Sequence, residues 1–271
     1  MAWGDTGSQG LRAYVGFGAS IVGRTSGEFV VKISGQNTLL WGLQFLGKGE
    51  ADEAYGCLVL VDNPSGSALN EVYFQNCILR QNKKLIKYST PLAAGKVSEV
   101  FFDFCTLKQA HMLFDIESSG LCDLFFRNGL LYPSVPPSLL DRESNYIAKI
   151  SNGPANLHIS NSELMHTASQ VGGHAGGWAF VIAASKSSLH IADCMTELKQ
   201  GIYVAPSVSG FFVRVSDNSN GFIGSTDTDS GYSDLVHCAA GSAGVIDFSS
   251  LLYRRDSSLN VGTVVPRIAL S

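Results

Sequence analysis

Apolar and polar residues alternate in short runs along most of the chain, and the runs recur. The clearest are EVYFQNCIL (71–79), EVFFDFCTL (99–107), DLFFRNGLL (123–131), NLHISNSEL (156–164), SLHIADCMT (188–196) and FVRVSDNSN (212–220). TLLWGLQF (38–45) precedes them and a looser VIDFSSLL (245–252) follows. A period of two marks a strand with one buried face. Taking Phe74 as anchor, the matching positions Phe102, Phe126, Ile159, Ile191, Val215 and Phe248 follow at intervals of 28, 24, 33, 32, 24 and 33 residues. A second short strand lies upstream of each: FVVKIS (29–34), CLVLVD (57–62), LIKYST (85–90), LFDIES (113–118), IAKISN (147–152), AFVIAA (179–184) and IYVAP (202–206). The tail of each longer run supplies a third strand. No segment between them has helical periodicity, so propeller blades and helical repeats fit less well than one coil per repeat. The pattern predicts an all-β, right-handed parallel β-helix of about eight coils.

The alternation sorts the side chains into columns. Val72, Val100, Leu124, Leu157, Leu189 and Val213 form one inward column; Phe74, Phe102, Phe126, Ile159, Ile191 and Val215 form the next. Like apolar residues on rungs roughly 4.8 Å apart are what a β-helix core needs. Asn76, Asn128, Asn161, Asp193 and Asp217 stand where the strand must turn, and Phe104 interrupts them. Asx side chains tolerate the left-handed backbone of a turn. Cys77, Cys105 and Cys194 take the following position, with Gly129 and Ser162 between them, and read as small buried residues. A disulfide across adjacent rungs is the alternative.

With the register in hand, the segment GFGASIVGRTSGEFVVKISGQNTLLWGLQFLG (16–47) resembles the pectate-lyase-like β-helix superfamily, and especially bacteriophage tailspikes. The likeness rests on a glycine-flanked strand, then an apolar strand ending Ile-Ser-Gly-x-Asn, then a strand closing Gly-Leu-x-Phe. The repeat extends it to about residue 255. It implies a homotrimer on the virion that binds, and in many cases cleaves, bacterial surface polysaccharide. The fold itself hosts lyases, hydrolases and non-catalytic binders. The calcium and arginine signatures of the pectate lyases are not seen, and no long N-terminal attachment segment is visible. Residues 1–28 are expected to start or cap the helix, 29–255 to build it, and 256–271 to form a C-terminal β tail. Insertions at 47–55, 133–145, 166–177 and 224–234 are read as loops leaving the coils.

Composition narrows the partners. Charged residues are 15% of the chain, low for a surface that is all solvated, which points to exterior buried against other subunits. A net charge of -4 gives no basic footprint, so nucleic acid is not expected. No apolar run reaches 18 residues and the N-terminus lacks a secretory pattern, so neither membrane insertion nor a signal is expected. No cofactor and no metal site is expected.

The candidate chemistry is a surface column. Glu71, Glu99 and Asp123 share one outward position on successive rungs, on the order of 5 Å apart. Crowded carboxylates raise at least one pKa, which suits a general acid, and glycosidases use such pairs. Beside them run Tyr73, Phe101, Phe125, His158 and His190, then Arg214; aromatic side chains offer apolar surface to a sugar. The competing reading has the acids at solvated strand starts and the aromatics in a subunit interface. Asp115 and Glu117 face out together, with Lys87 and Lys149 on the rungs either side of Asp115, as in a charge ladder. Asp103 and Arg127 read as an ion pair. Asp227, Asp229, Gly231 and Asp234 read as a polar turn rather than a calcium loop, and His166 and His174 as loop histidines. Gly16-x-Gly18 has no helix after it and is rejected as a phosphate cradle. The expected function is a phage tailspike or tail-fibre protein recognising host-surface glycan. A non-enzymatic capsid decoration or short spike is the alternative, and a bacterial polysaccharide lyase the second. If the chain cleaves, it is a glycoside hydrolase using the acidic column.

Overall fold

The computed structural model describes residues 2–3, 12–23, 27–34, 37–47, 55–62, 70–89, 97–117, 121–133, 146–166, 178–198, 201–216, 223–224, 236–249, 254–255 and 268–270. Among these, every strand pairing is parallel, and each strand pairs with the one three elements on. That connectivity is a right-handed parallel β-helix. The chain visits sheet 1, sheet 2 and sheet 3 in turn, then starts the next coil.

Sheet 1 contains Gly27–Ile33, Tyr55–Val61, Lys84–Tyr88, Met112–Ile116, Tyr146–Ile150, Phe180–Ile182, Ile202–Val204 and Val236–Cys238, flanked by Ala2–Trp3 and Ile268–Leu270. Sheet 2 contains Arg12–Val15, Thr38–Trp41, Asn70–Gln75, Val97–Asp103, Leu121–Arg127, Ala155–Ser160, Ser188–Ala192, Ser209–Ser216 and Ala243–Ser249. Sheet 3 runs from Ser20–Val22 to Met195–Leu198. Its place in the later coils is taken by Ile223–Gly224 paired with Arg254–Arg255. The eight sequence repeats are all rungs of sheet 2, and Arg12–Val15 adds a ninth ahead of them.

The inward columns stand in the expected register. Val72, Val100, Leu124, Leu157, Leu189 and Val213 are successive partners, as are Phe74, Phe102, Phe126, Ile159, Ile191 and Val215. All of these are buried. Phe102 lies 4.5 Å from Phe74, stacked, and edge-on to Phe114 of sheet 1 at 5.4 Å, so the rings fill the triangle between the sheets. Close packing of this kind carries the stability of each coil.

The turn from sheet 2 to sheet 3 repeats one backbone solution. Gly42, Asn76, Phe104, Asn128, Asn161 and Asp193 all have φ between 47° and 67°. Asp217 lies outside the described residues. The next position holds Cys77, Cys105 and Cys194, each buried and each a free thiol directed at backbone carbonyls. Gly129 occurs in this column because a Cβ there would run into the Cys105 carbonyl and the Phe126 ring. Burial pushes the thiol of Cys57 up to about 12 and that of Cys194 to about 11, whereas the hydrogen bond with Cys105 lowers that of Cys77. No disulfide joins the described cysteines.

Candidate functional site

The outer face of sheet 2 carries three columns. The first is Glu71, Glu99, Asp123, Asn156 and Ser188, matched rung by rung. The second is Tyr73, Phe101, Phe125, His158 and His190, followed by Arg214. The third is Gln75, Asp103, Arg127, Ser160 and Ala192. The structure therefore brings all eight proposed site residues onto one face, and those eight side chains are half-buried.

The acidic column is held by specific neighbours. The Tyr73 hydroxyl donates to Glu71 Oε2 at 3.1 Å. Asn156 Nδ2 donates to Asp123 Oδ1 at 2.7 Å, and the Ser188 hydroxyl donates to Asn156 Oδ1 at 2.6 Å. Ser188 thereby orients the amide so that its NH2 faces the carboxylate. Glu99 stands between the other two acids, and its carboxyl is raised by partial burial and then by Glu71 and Asp123 on either side. A carboxyl raised in this way holds a proton at higher pH than an ordinary glutamate, the direction a general acid needs. Asn156 and Ser188 were not singled out from sequence, although both stand at the acid's offset in NLHIS and SLHIA.

The aromatic column is a continuous stack. Tyr73 and Phe101 are 4.7 Å apart at 7°, Phe101 and Phe125 4.9 Å at 8°, and Phe125 and His158 4.8 Å at 11°. His158 and His190 follow at 4.8 Å, more tilted. Each ring spends its faces on the rungs above and below, and the ladder presents ring edges outward. Burial lowers the pKa of His158, with Asp123 opposing; burial, His158 and Arg214 lower that of His190.

Other charged positions resolve as structural pairs. Arg127 meets Asp103 at 3.7 Å, and Asn128 Nδ2 donates to the same carboxylate at 2.8 Å. Asp115 does lie between Lys87 and Lys149 in register, but it is only 2% exposed and does not share an open face with Glu117. Its carboxylate takes Lys84 at 2.6 Å, while Glu117 takes Lys87 at 3.0 Å. A buried carboxylate is tolerated only when so paired. His166 is another correction: it ends the strand Glu163–His166, and alternation from Leu164 turns it inward, where it is buried rather than in a loop. His174, Asp227, Asp229, Gly231 and Asp234 lie outside the described residues, as do most of the expected insertions. Sequence reading also missed an aromatic group on sheet 1, where Tyr203 stacks on His237 at 5.6 Å and Trp178 packs on both.

Among the described residues no three His, Cys, Asp or Glu side chains converge as a metal site, and no helix is long and apolar enough to cross a membrane. Compared with known proteins, the chain matches no family model, no curated protein and no solved structure.

Proposed function

We propose that the chain is a bacteriophage virion protein of tailspike or tail-fibre type, related to the pectate-lyase-like β-helices, which recognises bacterial surface polysaccharide through the outer face of sheet 2. One observation carries the reading. Acids, an amide and a hydroxyl recur at rung spacing along a rigid sheet, beside an unbroken ring ladder. A surface with a translational repeat suits a polymer with one. Rigid strands also hold such groups with less play than loops do. The subunits are proposed to assemble as a homotrimer, with other virion proteins as further partners.

Binding is the primary activity in this reading. Cleavage has a defined route if it occurs: Glu99 is the general acid, and Asp123 or Glu71 the second carboxylate. One rung, about 4.8 Å, separates Glu99 from each neighbour, close to the spacing of retaining glycosidases. The test is incubation of the protein with purified bacterial capsular and O-antigen polysaccharides, measuring retention and sizing the products. Retention without shortening establishes a binder. Shortening that Glu99→Gln reduces by about 10²–10⁴-fold, with retention kept, establishes the hydrolase. Absence of retention on every polysaccharide overturns the proposal.

The second reading is a non-enzymatic structural virion protein. The stacked rings favour it, because a ladder offering edges rather than faces is also a good surface for another subunit. Glu99→Gln then alters oligomer stability and nothing else.

A further inference from the structure

The ladder spends its ring faces on its own rungs, but a separate exposed ring stands at the turn beyond the third column. Phe104 occupies the turn between sheets 2 and 3 at φ 53°, in a column otherwise filled by Gly42, Asn76, Asn128, Asn161 and Asp193. A bulky side chain in left-handed backbone is strained, and Asn or Gly at the same place is not. Phe104 is also 56% exposed, so its ring gains little from burial. Two penalties fall on one residue, and no ring among the described residues packs against it. Such an outlier, kept on a fold that offers an easier residue on every neighbouring rung, points to a role in contact.

The surroundings say what kind of contact. Phe104 N–H donates to the Arg127 carbonyl at 3.1 Å, and Asn76 N–H donates to the Asp103 carbonyl at 3.0 Å, so Asn76 and Asn128 stand one rung to either side. Asp103, the last residue of the strand before Phe104, has its carboxylate fixed by Asn128 Nδ2 at 2.8 Å and Arg127 at 3.7 Å. An exposed apolar ring at a corner whose adjacent positions carry a carboxylate, a guanidinium and amides complements a pyranose, which has an apolar C–H face and a rim of hydroxyls. A protein partner would more naturally meet a broad apolar patch. We propose that Phe104, with Asn76, Asn128, Asp103 and Arg127 around it, is a single-sugar subsite at the corner of sheets 2 and 3. It rests on the polysaccharide reading above and locates one stacked residue of the polymer at the opposite end of the strand Val97–Asp103 from Glu99.

The test uses the full chain on an array of purified bacterial capsular and O-antigen polysaccharides, followed by titration with an oligosaccharide cut from the strongest binder. Phe104→Asn adopts the turn's usual residue, so it should fold, and its melting temperature should rise by about 2–4 °C. Its affinity should fall about tenfold. Phe104→Leu keeps apolar bulk but no ring and should also lose about tenfold, whereas Phe104→Tyr keeps a stacking face and should bind within about twofold of wild type. Undiminished binding by Phe104→Asn overturns the subsite and leaves the polysaccharide reading standing. Undiminished binding by Phe104→Leu alone overturns ring stacking in favour of plain apolar contact. A wild-type chain that binds nothing on the array removes the polysaccharide reading and the subsite with it.

Discussion

Phe102 shows how a single side chain carries a coil. Its ring touches Phe74 below, Phe126 above at 6.2 Å and Phe114 across the core. Phe102→Ala should cost roughly 3–5 kcal/mol in denaturant unfolding, because neighbours fixed by their own rungs cannot collapse into the space. Glu99 works in the opposite sense. Its folded pKa is raised, so the folded state binds more protons than the unfolded one, and stability is lost as pH rises from the unfolded pKa through the folded one. Glu99→Gln should therefore melt higher than wild type at pH 7 and indistinguishably near pH 3. Equal melting temperatures at pH 7 would show that the three carboxylates do not press on one another.

At the scale of elements, the ladder from Tyr73 to His190 should be pH-sensitive at its histidine end. Both histidines have folded pKa values lowered by burial. Their contribution is intact above the unfolded value near 6.5 and is lost as pH falls from there through the folded values. Replacing both by Phe continues the stack and removes the titration, so the drop in melting temperature between pH 7.5 and 5.5 should shrink in His158→Phe/His190→Phe. The register that aligns these rings was legible in sequence, since a slip of one residue would have turned every Phe and Val of the inward columns outward. The turn column was equally legible, and Phe104 stood out in it by residue type. The partners of Asp115 were not legible. In Lys84–Tyr88 both Leu85 and Ile86 are buried, so strict alternation fails there and it is Lys84, not Lys87, that reaches the acid. Ring orientation was hidden for a different reason: alternation says which side of a sheet a ring occupies and nothing about its torsions. The ninth rung, Arg12–Val15, lacked a signal because its outward Ala13 and Val15 are apolar and exposed.

For the whole molecule, the proposed trimer and the parallel topology make separate predictions. Light scattering at micromolar concentration should give three times the 28.9 kDa chain mass; a monomer there would remove the assembly and the interface reading of the ladder together. Pairing each strand with the next coil makes almost every contact non-local, so refolding should be slow compared with helical proteins of this size. The buried thiols offer a way to watch it. Cys57, Cys77, Cys105, Cys122, Cys194 and Cys238 are distributed along most of the helix, all reduced, and closed to solvent. A thiol reagent reacts only with an exposed thiolate, so each cysteine is a clock that starts when its own coil opens. Mass-resolved labelling would read from six positions in one unaltered chain whether the helix frays from an end, unzips coil by coil, or comes apart at once.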